Sequence, residues 1–135
     1  MVVEDDPRQA DVDVVLKGLR AFNLKKTGRS DQRALTLFLR DHQGTVLGGL
    51  LGEIYWNTLA INILWVDESL RGQDWGASLV EKAEAIARES GCIQAHLDTM
   101  SFQARPFYEK HGYVLFGQMD DVPVGHQRFY LHKKL

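Results

Sequence analysis

Cysteine is nearly absent from this chain: Cys92 is the only one in 135 residues. A lone thiol cannot close an internal disulfide, and no CxxC is there for zinc or redox chemistry. A reducing, cytoplasmic setting is the expected home. Proline is scarce, at three residues, and the 12 glycines punctuate the chain without clustering, so no linker or low-complexity tract is visible. Long apolar runs are missing. Stretches such as residues 46–51 and 63–66 fall far short of the roughly 18 residues a membrane helix needs, which excludes a helical membrane role. The N-terminal MVVEDDPRQ is acidic and has no apolar segment, so no secretory signal is expected. An excess of one charge is lacking too. Sixteen basic and 18 acidic side chains leave a net charge of −2, and nothing announces a nucleic-acid surface. The five histidines show no HExxH or similar spacing, so surface or packing roles are expected of them and no metal.

What is present is 44% hydrophobic and 25% charged residues, enough for the core of one globular domain spanning 1–135. Val12, Val15, Leu16, Leu19 and Phe22 recur at helical spacing, predicting an amphipathic helix that ends near Lys25. Leu35, Leu37 and Leu39 alternate with Thr36, Phe38 and Arg40 as in a strand. A turn at residues 41–44 leads into a second strand, 45–56, where Gly48, Gly49 and Gly52 suggest a bulge or bend. Residues 59–66 form a third. Such short turns make an antiparallel meander. Trp75, Leu79, Ala83 and Ile86 share one face of a second helix, with Glu84 and Arg88 as an i,i+4 pair and Gly91 as its end. A strand at 93–97 follows. A short helix then starts between Phe102 and Arg105, where Pro106 is tolerated, and ends at Gly112. Strands at 113–116 and 128–131 close the chain. The order α-β-β-β-α-β-α-β-β is a mixed α/β class, neither doubly wound nor a bundle.

The stretch from Leu64 to Leu79 passes from strand to a glycine-containing loop to a helix start. Unpaired backbone amides and the helix dipole favour an anion at such a place. Arg71 adds a cation, and Gly72 and Gly76 let backbone come close to a ligand. A plain turn explains the same glycines, so the local pattern leaves both readings open. No Gly-Lys-Ser/Thr follows, which excludes a Walker loop, and GxGxxG is absent. Among the carboxylates, Glu53 sits in an otherwise apolar strand, either as a base for an ammonium substrate or simply facing solvent. Asp98 either faces a cleft or ends its strand. Tyr55, Trp56 and Trp65 line an acceptor pocket or fill the core. Cys92, with no His/Asn partner pattern, reads as a buried, inert thiol.

Residues 66–79, with Arg71-Gly72-Gln73-Asp74-Trp75-Gly76-Ala77 at their centre, resemble the acetyl-CoA-binding motif Q/R-x-x-G-x-G/A of the GNAT superfamily of N-acetyltransferases. Residues 104–113, Ala-Arg-Pro-Phe-Tyr-Glu-Lys-His-Gly-Tyr, resemble its second motif, A-x-x-F/L-Y-x-x-x-G-F/Y. The motifs stand in the family's order, and the element order matches its core over nearly the whole chain. The resemblance implies acetyl-CoA as cosubstrate, wedged between strands 59–66 and 93–97. Leu64, Trp65 and Val66 would meet its pantetheine through backbone. Arg71, Gly72, Gln73, Asp74, Gly76, Ala77 and Ser78 would surround its pyrophosphate. Tyr108 would sit by the sulfur as general acid. The implied reaction is direct acetyl transfer to a primary amine of a small molecule or peptide, with a homodimer in keeping with family habit. The alternative is a non-catalytic acyl-CoA sensor or interaction module of the same fold. Asp74 departs from the motif, standing where its first glycine belongs. Asp tolerates a left-handed backbone and caps helices well, so its carboxylate is expected to close the helix start.

Overall fold

A computed structural model describes every residue from Met1 to Leu135. The chain divides into two units, Met1–Asp31 and Gln32–Leu135. The first carries one helix, α1 (Gln9–Thr27). Arg8 pairs with Asp11 at 2.9 Å across its first turn, and Lys25 and Lys26 sit in its last, an arrangement that complements the helix dipole. It ends where Gly28 takes φ 69° and returns its N–H to the Leu24 carbonyl at 2.8 Å. The left-handed residue, not the charge pair at 25–26, stops the helix, which therefore runs two residues past the expected end.

The second unit is a six-stranded sheet with two helices. Its strands are β1 (Gln32–Arg40), β2 (Val46–Tyr55), β3 (Thr58–Val66), β4 (Gln94–Met100), β5 (Val114–Asp120) and β6 (Gln127–Lys134), in the spatial order β1-β2-β3-β4-β6-β5. The expected meander β1–β3 is antiparallel. Helix α2 (Trp75–Glu89) carries the chain over the sheet, so β3 and β4 run parallel. Helix α3 (Arg105–Lys110) precedes β5. Strand β4 runs three residues beyond 97, and β5 and β6 are longer than their apolar cores indicated. Asp98, Gln118 and Asp120 have low strand propensity, but ladder pairing with β6 holds them. The mixed α/β class and the element order stand as expected.

Burial alternates along β4, while β3 is buried continuously from Thr58 to Ile61. Leu35 on β1, Leu50 and Ile54 on β2, Leu59 and Ile61 on β3, and Ala95 and Leu97 on β4 cluster with Leu79, Val80, Ala83 and Ala87 of α2. Each large side chain so covered contributes about 1.5–3 kcal/mol. Glu84 of α2 is buried with them. Its carboxylate accepts Lys133 Nζ at 2.9 and 2.8 Å, the Tyr113 hydroxyl at 3.1 Å and Arg88 at 3.2 Å. A buried charge this well supplied with donors is tolerated. Cys92 is buried, as read from the sequence. No helix is long and apolar enough to cross a membrane.

The glycines of β2 are where strand backbones crowd. A Cβ on Gly49 would lie 2.5 Å from the Leu37 carbonyl oxygen, and one on Gly52 would press on that of Ala60. The β2–β3 register slips between Leu51 and Gly52, leaving Asn62 without a partner. This is the bulge the glycines suggested, and it bends β3 next to the candidate site.

Candidate functional site

β3 and β4 are ladder partners for only four residues each, Thr58 to Ile61 against Gln94 to Leu97. Past the bulge at Asn62, β3 follows β2 to Val66 while β4 follows β6 to Met100. The strand ends part, and a cleft of about 340 Å³ opens between them. From β3 it is lined by Ile61, Asn62, Ile63, Leu64 and Trp65. Asp98, Thr99, Gln103 and Tyr108 complete the wall. The β3 edge facing this gap lacks a neighbouring strand, so its N–H and C=O groups can take an extended ligand as an added strand. Thr99 is buried toward the helices while Asp98 points to the opposite face, so the cleft opens on both sides of the sheet.

Tyr108 sits on α3. The turn before α3 is tied to β4: the Ala104 N–H reaches Thr99 Oγ1 at 3.3 Å, and the Gln103 side chain accepts the Met100 N–H at 2.8 Å. The Tyr108 ring packs edge-on against Phe107 and Tyr113, and the residue lines the cleft. Burial, aided by the negative charge of Asp98, pushes its pKa up to about 12. At neutral pH it is a hydrogen-bond donor that holds its proton.

On the helix side, a 3-10 turn at Glu68–Leu70 leads into α2. Asp67 caps that turn by accepting the Ser69 N–H at 2.9 Å and hydroxyl at 2.6 Å. These donors hold its carboxyl below the usual carboxylate range. A second pocket, about 320 Å³, lies where α2 begins, bordered by Val66, Arg71, Gly72, Asp74, Gly76, Ala77 and, at the end of α3, Lys110 and the following His111. The first helical bond of α2 is Ser78 N–H to Asp74 C=O, 3.0 Å. The amides of Trp75, Gly76 and Ala77 precede it and have no intrahelical acceptor. With the Arg71 and Lys110 side chains at the same pocket, these amides suit a pyrophosphate.

One expectation is corrected here. Asp74 does take the left-handed backbone, φ 62°, but its side chain makes no capping bond. A residue in that conformation does not present its carboxylate to the N2 and N3 amides as an extended N-cap does. Asp74 instead lines the anion pocket as a residue.

The structure brings Leu64 and Trp65 together at the cleft with Tyr108, and Val66, Arg71, Gly72, Asp74, Gly76 and Ala77 at the helix start. Gln73 and Ser78 border neither. Gln73 Nε2 donates to the Ser69 carbonyl at 3.2 Å, and the Ser78 amide is used by the helix. Arg71 Nε donates to the Val66 carbonyl at 3.2 Å. Glu53 accepts Gln32 Nε2 at 2.7 Å and does not line the cleft. The Tyr55 hydroxyl lies 2.7 Å from His96 Nε2, and Trp56 occupies the β2–β3 turn at φ 52°. Lys110 and His111 are further pocket residues that the sequence does not point to. Their only signal was a basic end to a helix whose position over α2 no local pattern reveals. No group of His, Cys, Asp and Glu side chains is arranged to hold a metal.

Residues 7–113 match the family model described as acetyltransferase (GNAT) family. A blasticidin-S acetyltransferase from Streptomyces morookaense is 37% identical over 116 residues, covering 83% of this chain and 85% of that one. An acetyltransferase from Agrobacterium fabrum is 35% identical over 116 residues, covering 86% and 85%. The crystal structure of an Agrobacterium tumefaciens protein superposes with a TM-score of 0.93 at 32% identity, covering 100% of this chain and 98% of the other.

Proposed function

Because the chain belongs to the GNAT family of acetyltransferases, which use acetyl-CoA, we propose that it transfers acetyl directly from the thioester to a primary amine within a ternary complex. The observation that carries this reading is the double-sided cleft, with Tyr108 at its wall and an anion-binding helix start alongside. The non-catalytic sensor loses its ground beside relatives that are acetyltransferases.

Each part of the chain has a task in this reading. Arg71, Gly72, Gly76 and Ala77, with Lys110, hold the pyrophosphate. Backbone at Leu64, Trp65 and Val66 pairs with the pantetheine, and Arg71 leaves the Val66 carbonyl when it does so. Tyr108 aims its hydroxyl at the sulfur. A donor with pKa near 12 facing a thiolate of pKa about 8.5 is mismatched by about 3.5 units, close to 5 kcal/mol uphill for full proton transfer. Tyr108 therefore stabilises the departing thiolate by a hydrogen bond, and water completes its protonation. Glu53 acts as base only through intervening water, since it stands outside the cleft. The buried Cys92 offers no route to an acetyl-enzyme.

The acceptor is a small molecule in this reading, because the Streptomyces relative's name assigns it one. One domain spans residues 1–135 in this reading, and the family match covers residues 7–113 of it. A cytoplasmic setting accords with the lone reduced thiol. Thiol release from acetyl-CoA, measured against a panel of small amines, tests the proposal. Release above the hydrolysis blank with at least one amine is expected; none with any amine refutes it.

A further inference from the structure

The sheet face turned away from α2 and α3 carries an ion pair at the mouth of the cleft. Asp98 of β4 and Arg128 of β6 are diagonal cross-strand neighbours, joined by Arg128 Nε donating to Asp98 Oδ1 at 2.9 Å. Each side chain is 36% exposed. A pair this open adds little to stability, so its geometry invites a different account. Only one of the five N–H donors of Arg128 is used, and the guanidinium lies over the Tyr130 ring, 5.5 Å from its centre. That stacking braces the guanidinium, and neither Nη donates a hydrogen bond within the protein. Asp98 Oδ2 has no protein donor. Asp98 also lines the cleft beside Tyr108, next to where an attacking amine must arrive.

We propose that Asp98 and Arg128 form an acceptor-recognition pair, and that the acceptor is a zwitterion carrying a carboxylate within a few bonds of its reactive amine. This rests on the transferase reading above and narrows its substrate class. An amine enters as an ammonium at neutral pH, and Asp98 Oδ2 receives it at the cleft. The Nη donors of Arg128 take the carboxylate in the bidentate manner natural to a guanidinium. A purely cationic polyamine meets the same arginine as a like charge. Trp65 and Ile63, exposed on this face, give the carbon skeleton an apolar rest. The carboxylate on Glu53 is already held by Gln32, and His96 by Tyr55, so Asp98 is the acid still able to accept at the cleft.

The test uses the full chain, acetyl-CoA and matched acceptors: the ω-amino acids from glycine to 6-aminohexanoate, each beside its carboxamide, with simple alkylamines as reference. At the spacing that fits, the carboxylate member is expected to show kcat/KM at least tenfold above its amide. Arg128→Gln is expected to raise KM for that member at least tenfold more than for the amide. Asp98→Asn is expected to weaken both. Equal or better turnover of the amides at every spacing, with alkylamines accepted, overturns this inference and leaves the transferase reading intact. An equal effect of Arg128→Gln on both members also overturns it, as a structural ion pair would behave. Absence of turnover with every amine overturns the transferase reading and this one together. The preference is measured on the unaltered protein, so a poorly folded variant does not decide the matter.

Discussion

The two halves of the sheet, β1–β3 and β4–β6–β5, differ in how they are built and in what they bring to the cleft between them. The first half is a meander of consecutive hairpins whose glycines let backbones crowd and whose bulge turns β3 aside. It contributes mainly main chain, the free edge from Ile63 to Val66. The second half is entered by the parallel crossover from β3 to β4 and has a strand, β6, inserted between its sequence predecessors. It contributes side chains: Asp98, Arg128 and, from the helix before β5, Tyr108. Helix α2 spans both but grips them differently. Apolar residues seat it on Leu50 and Leu59 of the first half. On the second half it adds a buried carboxylate, Glu84, clasped by Lys133 and Tyr113. A cleft between two such halves can keep a rigid floor for a cosubstrate while its other wall carries specificity.

The largest expected effect comes from breaking the ionic grip. Glu84→Leu leaves Lys133 and the Tyr113 hydroxyl without their partner, and a loss of about 3–5 kcal/mol in urea unfolding is expected. A loss under about 1 kcal/mol would mean that both halves are held by apolar packing alone. Ligand should instead bind the halves together. Acetyl-CoA at 100 times its dissociation constant adds about 2.7 kcal/mol, or roughly 5–10 °C in a thermal scan of a domain this size. An unchanged melting temperature at saturating CoA would remove the cosubstrate from the cleft.

Tyr108→Phe sharpens the division of labour, because it removes a hydroxyl and leaves the packing. A fall in kcat of about 10- to 100-fold is expected, the low range for a positioned proton donor, with CoA affinity nearly unchanged. Retention of more than about a third of kcat, with chemistry rate-limiting, would take Tyr108 out of the mechanism. The raised pKa has its own signature. Tyrosine in the unfolded chain ionises near 10 and in the fold near 12. The stability this shift contributes is complete below pH 10 and disappears as pH rises through 12. The alkaline fall in melting temperature should therefore be shallower in Tyr108→Phe. An identical alkaline profile would contradict the burial of the hydroxyl's proton.

The smallest effect tests the corrected residue. Asp74→Gly relaxes a left-handed backbone and removes a negative charge from the anion pocket. Stability should hold or rise by up to about 1 kcal/mol. CoA should bind about 2- to 10-fold tighter at low ionic strength, the gain shrinking at high salt. Lost stability with unchanged affinity would restore the capping role.

How far each half was legible follows from the range of the interactions that make it. The meander, α2 and the anion-binding helix start were readable because alternation, 3.6-residue periodicity and glycine placement are local signals. Residues 71–77 were placed together for the same reason, since seven consecutive residues cannot be far apart. Asp74 marks the limit of local reading: its backbone conformation followed from residue type, but the direction of its carboxylate depends on the fold around it. Lys110 and His111 reach the pocket only because α3 packs beside α2. Asp98 and Arg128 are 30 residues apart, and nothing in either segment announces the other. By itself, the sequence determined the kind and order of the elements, through backbone sterics and hydrophobic period. Tertiary structure alone decided that β6 lies between β4 and β5, that β3 and β4 part after four residues, and which distant charges meet at that opening. Those outcomes depend on strand pairing across long loops, and such pairing is selected by the whole packed sheet and by no single stretch of chain.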